Sequence, residues 1–256
     1  MTSPSERKRR IEELAREIER HRDLYYNGRP EISDAEFDAL EDELRRLDPE
    51  NRVLSEVGAP PGGRTETAAG GFSVAGLPLK RHKIPMGSLE KIPEERLDAW
   101  AEKTGPLYLV QEKLDGISLE IEYEKGKMRD AITRGDGFIG EVVTHSAVNF
   151  QHVKETLDVR FTGSVRGEVI LRKSIFEKYF VGQDFSNPRN TVSGTVRKRH
   201  GDLSLNRHLE VHFYDVVAEN RQFKTEREKM EFLRGELGLH LATSHPGYVV
   251  KHKHTS

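Results

Sequence analysis

The stretch Gln111-Glu112-Lys113-Leu114-Asp115-Gly116-Ile117-Ser118-Leu119 decides how this chain is read. On an extended backbone successive side chains alternate, so Lys113 and Asp115 share one side and Leu114 takes the other. The alternation continues downstream. Ile117, Leu119, Ile121 and Tyr123 interleave with Ser118, Glu120, Glu122 and Glu124, the period of a half-buried strand. Lys125-Gly126-Lys127 then turns the chain into a partner strand over 128–133. A lysine held beside an acid at a strand end, and released into a glycine turn, can act as an amine nucleophile. It needs neighbouring positive charge or a metal to favour its deprotonated form. A surface salt pair beside a turn would use the same residues.

Further strands are expected over 165–171 and 211–218. A late helix starts at Thr225, with Glu228 as its capping partner, and stops at Gly238. Upstream, a helix opens at Pro93, where proline suits the first turn and Glu94 and Glu95 favour the positive end of the dipole. Trp100 lies on it as a packing residue. Residues 58–71 have no periodicity and are rich in Gly, Pro and Ala, so they read as a linker with the domain boundary near 66. Before it, residues 5–26 form an amphipathic helix through Ile11, Leu14, Ile18 and Tyr25. Ser33-x-x-Glu36 announces a second, carrying Phe37, Leu40, Leu44 and Leu47, which Asp48-Pro49 closes. The fold class is therefore α+β: a small helical domain over 1–66, then a mixed domain over 67–256 with mostly antiparallel strands.

Composition narrows the function. The 256 residues carry 41 basic and 43 acidic side chains, a formal charge of −2. Such a balance excludes a protein held on DNA by bulk charge alone and leaves a local basic face open. With 0 cysteines there are no disulfides, thiolate metal sites or cysteine nucleophiles. No apolar run of about eighteen residues could span a membrane. The N-terminus, MTSPSERKRRIEELAREIER, is charged where a signal peptide needs an apolar core. A cytoplasmic protein with no membrane partner is expected.

Lys113-x-Asp115-Gly116 does not stand alone. Thr133-Arg134-Gly135-Asp136-Gly137 follows, then Val165-Arg166-Gly167-Glu168-Val169, then Phe185-Ser186-Asn187-Pro188-Arg189-Asn190 with Gly194 and Arg197 behind. With these motifs in this order, the chain resembles the N-terminal part of a bacterial-type NAD-dependent DNA ligase. The resemblance runs from about residue 11 to about residue 240. It implies an NMN-binding helical domain followed by an adenylation (nucleotidyltransferase) domain with an ATP-grasp-like, mostly antiparallel sheet.

The resemblance implies roles residue by residue. Lys113 would attack the α-phosphate of NAD to form lysyl-AMP and expel NMN, with Asp115 and Gly116 completing that motif. Arg134 would lie over the nucleotide, and Glu168 would accept hydrogen bonds from the ribose hydroxyls. Arg189 and Arg197 would serve the phosphates and the nick, and Ser88 and Leu89 would line the adenylate pocket. Tyr25, Tyr26, Asp34 and Asp38 would grip the NMN half. NAD and Mg2+ are the implied cofactors, nicked duplex DNA is the implied partner, and no residue of this chain is assigned as a metal ligand. The chemistry agrees, since a cationic nicotinamide suits acidic and aromatic neighbours and a phosphate transition state suits guanidinium forks. Plainer roles exist for several of them. Asp34 beside an N-cap, Tyr25 and Tyr26 at a helix end, and the solvated face 197–200 need no ligand.

The chain departs from the family pattern in places. Gln111 stands where the family usually has a glutamate addressing the adenine, so its amide oxygen acts there without the charge. Phe37 replaces a tyrosine, and the loop between Tyr26 and Pro30 is one residue short. Two further lysines are expected after residue 240. Gly247-Tyr248-Val249-Val250-Lys251 is faintly similar to the strand bearing the first, without its leading acid. The expectation is an adenylation domain short of its last strands, with the DNA-gripping modules on a longer polypeptide or a second ligase subunit. Two other readings stay open. One is a truncated or degenerate relative that binds nucleotide or DNA ends without the adduct. The other is an ATP-using RNA ligase or capping-type enzyme, against which the tyrosine-rich helical preface argues.

Overall fold

The computed structural model describes residues 4–26, 31–32, 34–55, 72–73, 75–87, 89, 92–104, 107–181, 187–198, 204–242 and 248–251. The chain divides into two compact units, Met1–Gly87 with Arg134–Val142, and Ser88–Thr133 with Val143–Ser256. The expected boundary near 66 and the linker over 58–71 lie outside the described residues.

In the first unit, α1 (Pro4–Tyr26) pairs with α2 (Asp34–Leu47), and the short α3 (Arg52–Ser55) closes one end. Helical spacing puts Leu14, Ile18 and Leu44 on facing stripes, and with Val53 they are fully or almost fully buried. Ile11, Phe37, Leu40 and Leu47 pack around them, as the periodicity requires. Arg22 is buried at the edge of this core because its guanidinium donates to the Val53 carbonyl at 2.8 Å and to Glu41 at 3.2 Å. Arg10 grips Glu43 through two parallel bonds of 2.8 and 2.7 Å, and that hydrogen bonding holds the Glu43 carboxyl below its usual range. The same unit contains the strand pair β1 (Leu79–Arg81) and β5 (Ile139–Glu141).

The second unit is built on an antiparallel sheet in the order β4-β3-β6-β7: β3 (Ile117–Glu124), β4 (Lys127–Thr133), β6 (Gly163–Ile170) and β7 (Glu210–Ala218). The β3–β4 hairpin closes through Lys125 and Gly126, both at positive φ (52° and 85°), the two-residue turn whose twist suits paired strands. One face of the sheet is apolar, through Leu119, Ile121, Val165, Val169, Val211 and Phe213. The other face corrects the expectation of a half-exposed strand. Glu120 is 1% exposed and Glu122 7%; the residue opposite Glu120 on β6 is Arg166, itself buried, and charges leave water only when paired, while Glu122 stands opposite Ser164. Arg166 lies 3.6 Å from Glu120 and 3.8 Å from Asp215. Lys229 bonds Asp215 and Glu226, each at 2.9 Å, and these bonds outweigh the burial that opposes its charge, so it titrates above the usual lysine range.

The helices of this unit are α4 (Leu97–Thr104), α5 (Thr144–Ala147), α6 (Lys173–Tyr179), α7 (Pro188–Val196) and α8 (Glu226–Glu231). Pro93 precedes the expected helix as its cap instead of beginning it, since a 3-10 turn over Glu94–Arg96 comes before α4. Trp100 does pack, stacking on Tyr108 at 5.4 Å. Thr225 caps α8 by accepting from the Glu228 backbone N–H, but the Glu228 carboxylate reaches back to Lys224 N–H instead of Thr225. The helix then widens into a π turn over Phe232–Glu236 and ends before Gly238, at φ 61°. A chain end is usually poorly ordered, yet β8 (Tyr248–Lys251) pairs antiparallel with β2 (Leu107–Val110). No described helix is long and apolar enough to cross a membrane.

Three histidines meet beside β7. His152 stacks on His240 with ring centroids 4.1 Å apart, and His212 stands edge-on to His240 at 4.7 Å. Buried Glu210, bonded to Arg172 at 2.7 Å, lies 3.3 Å from His212. Desolvation above all, aided by the positive charge of their neighbours and opposed by Glu210, holds His152 and His240 below the usual value of 6.5. The unfolded chain therefore takes up protons that the folded chain resists. This contribution to stability is complete above about pH 6.5 and falls as pH drops through that value toward the lowered ones. The urea midpoint is expected to fall between pH 7.5 and pH 5.5. A His152→Asn, His240→Gln variant should show a shallower fall, Asn tolerating the φ of 70° at position 152.

Candidate functional site

The segment from Gln111 to Leu119 runs from the end of β2 into β3, with residues 111–115 in a loop. Lys113 is exposed there and pairs with no described residue. Its neighbour Asp115, with 69% of its side chain exposed, is held by Arg189, whose Nη1 donates to Oδ1 at 3.0 Å.

Arg189 reaches Asp115 because of how α7 begins. The Asn187 side chain accepts from the Asn190 N–H at 2.8 Å, satisfying one of the orphan donors of the first turn. Pro188 follows at the first helical position, where the missing N–H costs nothing. The Asn-Pro-Arg-Asn motif is thus a helix start that presents an arginine, and α7 packs against β3 and β6. Arg197 caps the other end of α7 and bonds Ser193 on its own helix. Arg197 follows Arg189 by eight positions, about 12 Å along the helix axis.

Gly116 does not make the expected turn. Its φ is not in the left-handed region, and glycine is required for a different reason. A Cβ there would sit 2.0 Å from the Val169 carbonyl oxygen of β6. That close approach brings the Gly116 N–H to Glu168, donating to Oε1 at 3.1 Å, while the Ser118 hydroxyl donates to Oε2 at 2.9 Å. Gly167, beside Glu168, allows β7 a similar approach, since a Cβ would meet the His212 carbonyl oxygen at 2.9 Å. Gln111 turns its Nε2 toward the Met230 sulfur at 3.4 Å, a weak acceptor.

The structure therefore gathers Asp115, Gly116, Glu168 and Arg189, from three separate motifs, at the end of the sheet where the Lys113 loop enters β3. Arg134 belongs to the first unit, in the turn between β4 and β5. There Gly135 and Gly137 adopt φ of 58° and 92°, and the Asp136 carboxylate accepts from the Phe138 and Ile139 N–H groups at 2.8 Å each. Leu89 is 90% exposed, and Ser88 lies outside the described residues. Tyr25 and Tyr26 end α1 and Asp34 and Asp38 fall in α2, with their side chains outside the described part. Lys251 stands opposite Leu107 while Tyr248 stands opposite Val110. This register sets Lys251 at the end of β2 remote from the Lys113 loop.

Two contributors were not picked out as site residues in the sequence. Asn187 carried a usable signal, since Asn-Pro is a helix-start pattern. Ser118 carried none, because its importance depends on which strand lies beside β3.

Residues 75–250 match the family model for the NAD-dependent DNA ligase adenylation domain, and residues 4–60 match that for the DNA ligase-like, N-terminal NAD+-binding domain. The chain is similar to the DNA ligase of Treponema denticola, 40% identical over 248 residues that cover 89% of this chain and 36% of that protein. It is 39% identical to the DNA ligase of Sorangium cellulosum over 261 residues, 91% of this chain and 36% of the other. With the DNA ligase of Treponema pallidum it shares 36% identity over 264 residues, 96% of this chain and 29% of the other. The chain spans about a third of the length of these relatives. With clasped Glu168, Arg189-bound Asp115 and the matched family models in agreement, the chain belongs to the NAD-dependent DNA ligase adenylation-domain family, carrying the N-terminal NAD+-binding domain in front.

Proposed function

We propose that this chain performs the first step of an NAD-dependent DNA ligase. The Lys113 amine, having lost a proton, attacks the α-phosphorus of NAD. The P–N bond forms, the bond to the bridging oxygen breaks, and NMN leaves with the electron pair. The adenylyl group then passes to the 5′-phosphate of nicked duplex DNA, in replication or repair in the cytoplasm. Sealing draws on DNA-gripping parts carried by a longer polypeptide or a second subunit.

The observation that carries this reading is the gathering of the Lys113 loop, Asp115, Arg189 and Glu168 at one end of one sheet. Lys113 is unpaired among the described residues, as a nucleophile must be, and Arg189 supplies positive charge beside the loop while holding Asp115. Glu168 accepts from the adenosine ribose, Gln111 meets the adenine, and Arg134 covers the nucleotide with Ser88 and Leu89 lining its pocket. Arg189 serves the nucleotide phosphates and Arg197, two turns away, the DNA side. The helical domain, over 1–66, holds NMN through Tyr25, Tyr26, Asp34 and Asp38.

Among the described residues no group of three His, Cys, Asp or Glu side chains could hold a metal ion. Magnesium would be carried in on the diphosphate, keeping several of its waters. The ion would neutralise phosphate charge. Intact mass after incubation with magnesium and either NAD or ATP tests the reading. One adenylyl group from NAD and none from ATP is expected; labelling from ATP alone, or none with the remaining ligase parts supplied, refutes it.

A further inference from the structure

We propose that His82 is a positioning residue, which fixes the main chain of the turn bearing Arg134 and so sets how that arginine meets the nucleotide. This rests on the function proposed for the site and adds a residue to it. The turn Arg134-Gly135-Asp136-Gly137 is closed by the Gly137 N–H, which donates to the Arg134 carbonyl at 3.0 Å. Its two glycines, at φ of 58° and 92°, bend the chain without strongly choosing one conformation, because glycine is permissive. The choice is made from outside the turn. His82 is 4% exposed, and its Nε2 lies 3.1 Å from the Arg134 carbonyl oxygen. A carbonyl only accepts, so Nε2 carries the proton and donates.

His82 holds the turn on both sides, since its backbone N–H donates to the Phe138 carbonyl at 2.9 Å. The Met86 N–H then donates to the Gly137 carbonyl at 2.8 Å, so residues 82–86 run along the turn as a strap. Register brings them there. Arg81 stands opposite Ile139 where β1 pairs with β5, and His82 is the next residue along. All of these residues belong to the first unit. The direction of the Arg134 carbonyl is set by ψ, a torsion about a bond to the same Cα that carries the side chain. A donor that pins the carbonyl therefore pins the base of the guanidinium stem, and less ordering free energy is lost when the arginine engages a ligand. The far side of the turn has its own support, because the Asp136 carboxylate accepts from the Phe138 and Ile139 N–H groups at 2.8 Å each. Loss of the imidazole should thus disturb Arg134 while leaving the strand pair in place.

The test is the rate at which the whole chain gains an adenylyl group from NAD with magnesium present, read by intact mass over hours so that slow variants still register. His82→Ala is expected to lower that rate about tenfold at low NAD, the scale of one lost hydrogen bond, and Arg134→Ala to lower it too. Joined to Arg134→Ala, His82→Ala should bring no further loss, since residues that act through one another do not add. A residue that only supports the fold would bring the same loss in either background. His82→Gln should restore the rate, because its amide nitrogen is as many bonds from the main chain as Nε2 and also donates. Should His82→Ala fail to fold, His82→Leu fills the space without a donor and takes its place; if neither folds, His82 serves the fold itself and the proposal is overturned. A full rate for His82→Ala or Arg134→Ala, losses that add, or a His82→Gln chain no faster than His82→Ala also overturns it. Where the unaltered chain labels Lys113 and one of these results appears, only this proposal falls. Where it does not label, even with the remaining ligase parts supplied, the function proposed for the site falls and takes this proposal with it.

Discussion

With NAD and magnesium present, Lys113→Ala is expected to keep its unlabelled mass while the unaltered chain gains one adenylyl group. The adduct is a P–N bond, so it needs a primary amine able to shed a proton. Alanine offers none. Lys113→Arg should fail equally, because a guanidinium stays protonated at any working pH. The loss should be at least about 10^4-fold in rate, the scale on which removing a catalytic nucleophile reads. Folding should be untouched, because Lys113 is exposed and contacts no described residue through a hydrogen bond or ion pair. Its midpoint of unfolding should therefore move by no more than about 0.5 kcal/mol, as for ordinary surface changes. NAD affinity should also survive, since the clasp on Glu168 is built from Gly116 and Ser118 without the lysine. Labelling of Lys113→Ala at the original rate would remove the nucleophile from the proposal, and peptide mapping would then locate the amine that replaced it.

Local features of this chain are legible in its sequence. The β3–β4 hairpin follows from strict alternation and a Lys-Gly turn, and the α1–α2 pair from apolar stripes at helical spacing, because both depend on neighbours in sequence. What escapes a sequence reading is set by long-range pairing. Glu120 and Glu122 look solvent-facing by their period, yet both are buried, and for Glu120 only the register against Arg166 of β6 explains it. Ser118 looks like one polar residue among several until the same register puts it opposite Glu168. Pairing of β8 with β2 is equally invisible, since it joins segments 138 residues apart at Val110 and Tyr248 (248 − 110). The motif residues are readable as a set because their types are chemically specific. Their mutual contacts, such as Arg189 on Asp115, come only with the fold.

Gly116→Ala should be strongly damaging, and it tests fold and site together. A Cβ at 116 would lie 2.0 Å from the Val169 carbonyl oxygen, 2.9 Å from its carbon and 3.0 Å from Ile170 Cγ2. Real contacts of this kind stay at 3.0 Å or beyond, so β3 and β6 must separate locally by roughly 1 Å (3.0 − 2.0). Two of the three atoms are backbone of β6, an inner strand of the four-stranded sheet, and neither can swing aside as a side-chain tip would. Overpacking of this sort costs about 1–3 kcal/mol. Loss of the Gly116 bond to the Glu168 carboxylate adds about 1.5–3 kcal/mol. A total near 3–5 kcal/mol is a large share of the roughly 5–15 kcal/mol that holds a typical domain. At about 2–4 °C per kcal/mol for a chain of this size, the melting temperature should fall by roughly 6–20 °C. Gly235→Ala is the matched control, because a Cβ there meets nothing within 4 Å, and its melt should stay the same or rise slightly. A Gly116→Ala protein that melts like the unaltered chain would mean that β6 does not approach the loop so closely. The NAD-binding consequence has a separate origin. Pushing β6 away carries Glu168 with it, so on the proposed ribose contact even the molecules that remain folded should bind NAD less tightly, and the loss should be smaller for an NAD analogue lacking the adenosine ribose hydroxyls. In this chain Gly116 is therefore demanded by strand packing first, and the ribose contact proposed for Glu168 would inherit its geometry from that packing.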